Sequence, residues 1–170
     1  MTKSFKTVMT AILLLGASSV HAGGFVGFGG ALVDFDDGFD SVKPKNVLLR
    51  VGYACNYYFE VGGELGVTLL SDEISGVDFD VDTTFLYVQG NIPVGNGSKI
   101  FVMAGSTDVE LTGTLSGFSA SVDDSDTGLG FGIQIPASSQ DAYYSFDYIK
   151  YFDDDGVDVT GINFSYMGYF

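Results

Sequence analysis

The sequence has no tryptophan, 3 prolines, 1 cysteine and 1 histidine in 170 residues, and its 7 basic residues are outnumbered by 22 acidic ones. Each shortage removes a possibility. Cys55 has no second cysteine to pair with, so no internal disulfide forms even if the chain is exported to an oxidising compartment. The formal charge of -15 gives no electrostatic footing on nucleic acid phosphates, and a nucleic acid partner is excluded. His21 lies in an N-terminal segment read below as removable, which leaves the rest without the imidazole that usually serves as general base near pH 7. No apolar run is long enough to cross a bilayer as a helix; the longest candidate, Val8 to Leu15, is too short.

What the sequence has in quantity is glycine, with 24 residues, and aromatics, at 15% of the chain, a balance that favours strands over helices. Residues 1–22 combine a basic start at Lys3 and Lys6, the apolar centre, and a small-residue ending at Val20-His21-Ala22, the pattern of a cleaved secretory signal peptide. No cysteine follows that site directly, which argues against lipoprotein anchoring. The rest, 23–170, is one domain, long enough for a core or a closed barrel.

Along it, apolar residues recur with period two. The closing stretch, Gly156 to Phe170, puts Thr160, Ile162, Phe164, Tyr166, Gly168 and Phe170 on one face and Gly161, Asn163, Ser165, Met167 and Tyr169 on the other. Tyr58 to Leu69 alternates most cleanly: Phe59, Val61, Leu65, Val67 and Leu69 oppose Glu60, Gly62, Glu64, Gly66 and Thr68. Similar runs occupy about 24–33, 46–54, 81–92, 99–111, 125–135 and 141–152, giving eight amphipathic strands. In the fourth, Leu86, Val88, Gly90 and Ile92 are assigned outward, with Gln89 and Asn91 inside and Phe85 and Tyr87 inward with them. In the seventh, Tyr144, Phe146, Tyr148 and Phe152 share the face opposite Tyr143, Ser145, Asp147, Ile149 and Tyr151. Residues 34–45, 71–80 and 112–124 read as long polar loops, whereas the turns near Tyr57, Asn96 and Ser138 are short.

Aromatic-rich strands, a terminal Phe170, short turns at one end and long acidic loops at the other resemble the small eight-stranded outer-membrane barrels of the OmpA/OmpX type. The resemblance implies an all-β, eight-stranded antiparallel up-and-down transmembrane β-barrel in the cell outer membrane of a Gram-negative bacterium. It also implies that Phe164, Tyr166 and Phe170 form an assembly signal read by the barrel-assembly machinery. Outer-membrane lipid and lipopolysaccharide would surround a monomer without cofactors. Barrel hydrolases and acyltransferases usually need a histidine, so no catalytic residue is expected and the reading is non-enzymatic, structural or surface-interacting.

Arg50, Glu60, Glu64 and Asp147 fall at small-residue-face positions in mid-strand, where lipid would be intolerable for them. With the turn centred on Tyr57, Arg50 and Glu64 lie directly opposite one another. The expected role is an ion-pair network plugging the lumen, with a gated narrow pore as the sharper alternative. The acidic loops offer Asp36, Asp37, Asp78, Asp80, Asp153, Asp154 and Asp155 as possible divalent-cation ligands, against a plain anionic rim. A soluble secreted or periplasmic barrel carrying an apolar ligand remains the alternative from another class, and it requires the greasy faces to point inward.

Overall fold

The structure, a computed structural model, describes residues 23–38, 40–116, 118–138, 141–154 and 156–170, so the expected signal segment and Asp155 lie outside the described residues. The described residues form ten strands: β1 (Gly23–Asp36), β2 (Ser41–Val42), β3 (Lys45–Ala54), β4 (Phe59–Leu70), β5 (Asp72–Ile74), β6 (Val77–Gly95), β7 (Ser98–Leu115), β8 (Phe118–Pro136), β9 (Ala142–Asp154) and β10 (Val157–Tyr169). Eight of them are long and pair antiparallel with their chain neighbours. β1 pairs with β3 on one side and with β10 on the other, from Phe25↔Tyr169 to Asp36↔Asp158, so the sheet closes on itself. The two short strands, β2 and β5, extend the sheet at the end opposite the chain termini.

Closure removes every edge within the wall and leaves two faces for the side chains. The outer face is apolar: Phe28 is 68% exposed, Ile162 64% and Phe131 60%, with Leu32, Leu49, Val67, Val88, Val102 and Phe164 alongside. The inner face holds Arg50, Glu60, Glu64, Gln89, Lys99, Gln134, Asp147, Asn163 and Ser165, all buried. Inside, these polar groups share the lumen with buried Phe85, Tyr87, Phe101, Met103 and Ile149, but oil exposed over the whole outer face is the inverse of a soluble barrel, and it sets aside the reading as a soluble carrier. Both faces of β10 and the inward turn of Phe85 and Tyr87 are as the alternation indicates.

Three features depart from the sequence reading. Residues 112–124 are no loop: β7 continues to Leu115 and β8 starts at Phe118, paired through Leu115↔Phe118, and β6 accompanies β7 up to Asp78↔Thr114, so a ribbon of β6, β7 and β8 rises from the wall. Much of 71–80 is likewise strand, β5 pairing with the start of β6. Phe152 does not stay on the outer face with Tyr148; the register between β9 and β10 shifts between Val159 and Thr160, leaving Tyr151 as the extra residue, and Phe152 is buried with Val159. A bulge flips all alternation beyond it, a shift no period-two count anticipates.

Candidate functional site: a two-tier polar axis

The middle of the lumen is organised by Arg50. The turn at Cys55–Tyr58, in which the amide of Cys55 donates to the carbonyl of Phe59, sets the β3–β4 register so that Arg50 pairs with Glu64. Arg50 Nε donates to Glu64 Oε2 at 2.6 Å, and its two terminal nitrogens donate to Asp147 Oδ2 at 2.8 Å and Oδ1 at 2.6 Å, a bidentate fork across the barrel to β9. Arg50 is 2% exposed and Glu64 1%. One guanidinium facing two carboxylates leaves lone pairs that need donors. Tyr151 supplies one, its hydroxyl 2.5 Å from Glu64 Oε1, and Ser145 another at 3.2 Å from Asp147 Oδ2. Asn163 in turn donates to the Tyr151 hydroxyl at 3.0 Å. Satisfaction of each charge is what makes so buried a network tolerable.

Glu60 does not join this group. It sits nearer the short turns with Lys99, whose amine is 3.2 Å from Glu60 Oε1. Asn91 donates to the same oxygen at 2.9 Å, and the hydroxyl of Tyr169 lies 3.1 Å from Oε2. The Lys99 amine also lies over the rings of Tyr143, Tyr169 and Tyr57, at 4.9, 5.2 and 5.5 Å from their centroids. Lys99 escapes a sequence reading because it follows a turn, where a lysine ordinarily reaches solvent. Its only signal is parity: it shares the alternation of Phe101 and Met103.

At the opposite end the aspartates disperse. Asp36 and Asp37 accept from nearby amides of their own loop, Gly38 and Asp40. Asp80 accepts from Ser71, and Asp78 stands opposite Thr114 on β7. Asp153 pairs with Lys150 at 2.7 Å, and Asp154 ends β9. Among the described residues no three of these carboxylates converge into a group able to hold a metal ion. Asp34, paired at 2.7 Å with Lys43 and accepting from Ser41, is held below the usual carboxylate range by those two hydrogen bonds. Of the expected assembly residues, Phe164 and Tyr166 lie on the outer face of β10, and Phe170 follows it, its amide donating to Gly24. Phe164 and Tyr166 both pack against Tyr144.

The profile of the Outer membrane protein beta-barrel domain matches residues 8–170. Among solved structures, Ail, the attachment invasion locus protein of Yersinia pestis, is 18% identical with a TM-score of 0.68, the match covering 89% of this chain and 100% of that one. Neisserial surface protein A is 14% identical with a TM-score of 0.69, over 89% of this chain and 100% of that one. AlkL, determined in lipid bilayers, is 13% identical with a TM-score of 0.58, over 91% and 93%. No curated protein matches the sequence.

Proposed function

Because this chain belongs to the outer membrane protein beta-barrel domain family and is an outer-membrane protein, we propose that it is a non-enzymatic barrel, plugged along its axis, whose acidic end faces the cell exterior and serves for surface interaction. The observation that carries this reading is the Arg50–Glu64–Asp147–Tyr151 network, which links β3, β4 and β9 across the lumen at mid-height. An eight-stranded interior is just wide enough to be filled by side chains, and the hydrogen bonds that join these side chains across it support a filled one. On this reading residues 1–22 are removed after Ala22. The barrel sits as a monomer among outer-membrane lipid and lipopolysaccharide, and the outward aromatics of β10 with Phe170 address the barrel-assembly machinery. Ail has also been crystallised with the heparin analogue sucrose octasulfate, a polyanion. The present chain, at a formal -15 with acidic ribbons, is suited to the opposite charge.

Topology is the direct test. Cys55 is exposed at the short-turn end, and Ser116 lies at the tip of the β7–β8 ribbon. In intact cells a membrane-impermeant maleimide should label Ser116→Cys in a Cys55→Ser background, and should reach native Cys55 only after the envelope is permeabilised. Labelling with the reverse preference would overturn the orientation.

A further inference from the structure

Beyond the greasy belt, β8 loses its neighbour. It pairs with β7 from Phe118 to Gln134, yet with β9 only from Leu129↔Lys150 to Pro136↔Tyr143. β9 ends at Asp154, and the Asp153 amide donates to the Asp126 side chain at 3.1 Å. Among the described residues, Phe118–Ser125 therefore carries an unpaired backbone edge in line with the barrel wall. The other margin is covered: β7 pairs with β6, β6 with β5, and the amide of Lys43, next to β2, donates to Asp72 of β5 at 2.7 Å. An open edge of this length is a template for an added strand.

Beside that edge lies a cup of about 220 Å³. Its walls are apolar, formed by Phe35, Val109, Leu111, Phe152, Val157 and Val159, and β8 supplies its lip through Val122 and Asp124. At about 30 Å³ of liquid per water, it holds roughly seven waters or one large side chain. The opposite face of the ribbon is acidic. The register places Asp82, Glu110 and Asp123 directly across from one another on three adjacent strands, with Asp108 one step below Glu110 on the same face. Like charges in such a row repel.

Building on the surface-interaction reading, we propose that the free edge of β8, Phe118–Ser125, accepts an extended peptide segment of a partner protein in which basic and apolar residues alternate. A strand laid there continues the alternation of β8. Side chains opposite Val122 and Asp124 point to the cup, where one apolar group displaces poorly held water. Those opposite Ser121, Asp123 and Ser125 point to the acidic row, where lysine or arginine relieves the repulsion. The same charges reject a second copy of this chain as the occupant, because its β8 would bring Asp123, Asp124 and Asp126 against their equivalents.

The test uses the mature protein refolded into lipid nanodiscs and a fluorescent peptide of alternating lysine and valine. The peptide should bind, and N-methylation of alternate backbone amides, which leaves its charge and side chains intact, should weaken binding about tenfold or more. Val122→Arg, at a position 70% exposed and so harmless to the fold, should weaken it similarly. Equal binding of the methylated and parent peptides would reduce the interaction to diffuse charge and overturn the proposal, as would absence of binding by the parent. The surface reading is checked separately by labelling Ser121→Cys on intact cells: failure there with peptide binding retained sinks the orientation alone, and labelling without binding sinks the strand-addition site alone.

Discussion

The hydroxyl of Thr107 on β7 is hydrogen-bonded to the carbonyl of Tyr151 on β9, two strands away, and it passes over Gly128 on the intervening β8 to reach it. A Cβ at position 128 would stand 2.3 Å from Thr107 Cγ2 and 3.0 Å from the ring of Phe85. The glycine thus permits the contact that holds the bulged carbonyl, just beyond Leu129↔Lys150, the last pair of the β8–β9 ladder.

Gly128→Ala should consequently destabilise the barrel by about 1–3 kcal/mol, the usual cost of overpacking a filled interior. The change is read as a lower urea midpoint of the refolded protein. Gly30→Ala, on the outer face with only the Asn46 carbonyl within 4 Å, at 3.4 Å, serves as control and should shift it far less. Equal shifts would mean that the Thr107 contact is unimportant.

Removal of Arg50 strands two buried carboxylates. Arg50→Met should cost about 3–5 kcal/mol, and adding Glu64→Gln and Asp147→Asn should recover much of that loss because no uncompensated charge then remains. Planar-bilayer recordings distinguish the plug from a pore: the parent barrel should give no steady unitary current. Stable currents from the unmodified protein would end the plugged reading.

Lys99 is held by Glu60 and three tyrosine rings rather than by solvent. Lys99→Met keeps the stem and removes the charge, leaving Glu60 paired only with neutral donors. Its expected cost is at least that of Lys150→Met, since Lys150 is part-exposed and screened in its pairs with Asp153 and Asp158. A smaller loss at position 99 than at 150 would show that the turn-end cluster contributes nothing to stability.

Asp34 carries a pH signature. Its folded carboxyl titrates below its ordinary value because of hydrogen bonds from Lys43 and Ser41. A depressed carboxyl contributes stability that is present above the unfolded pKa and is lost as pH falls through the folded one. Lys43→Gln should move the Asp34 titration upward toward the ordinary carboxylate range, measured by NMR on the refolded protein. An unchanged titration would show that the 2.7 Å contact does not persist in solution.

Much of this molecule is written into short-range pattern. Side chains alternate across any strand, so the greasy and polar faces of β4 and β10 follow from their residues alone. The central pairing of Arg50 with Glu64 follows once the turn is placed at Tyr57, because a hairpin register is counted outward from its turn. The ribbon at 112–124 was not legible in this way. Both its faces meet solvent above the wall, so Ser, Thr and Asp stand where an amphipathic count demands oil, and the strands persist because the β7–β8 ladder continues. Only closure of the sheet decides that Asp147 reaches Arg50 from a strand 97 residues away, or that Lys99 lies among Tyr57, Tyr143 and Tyr169. Alternation is a property of the local backbone and can be read along the chain. Which side chains share a height on the axis depends on the stagger accumulated around the ring and on the bulge at Tyr151, and these exist only when β1 has met β10.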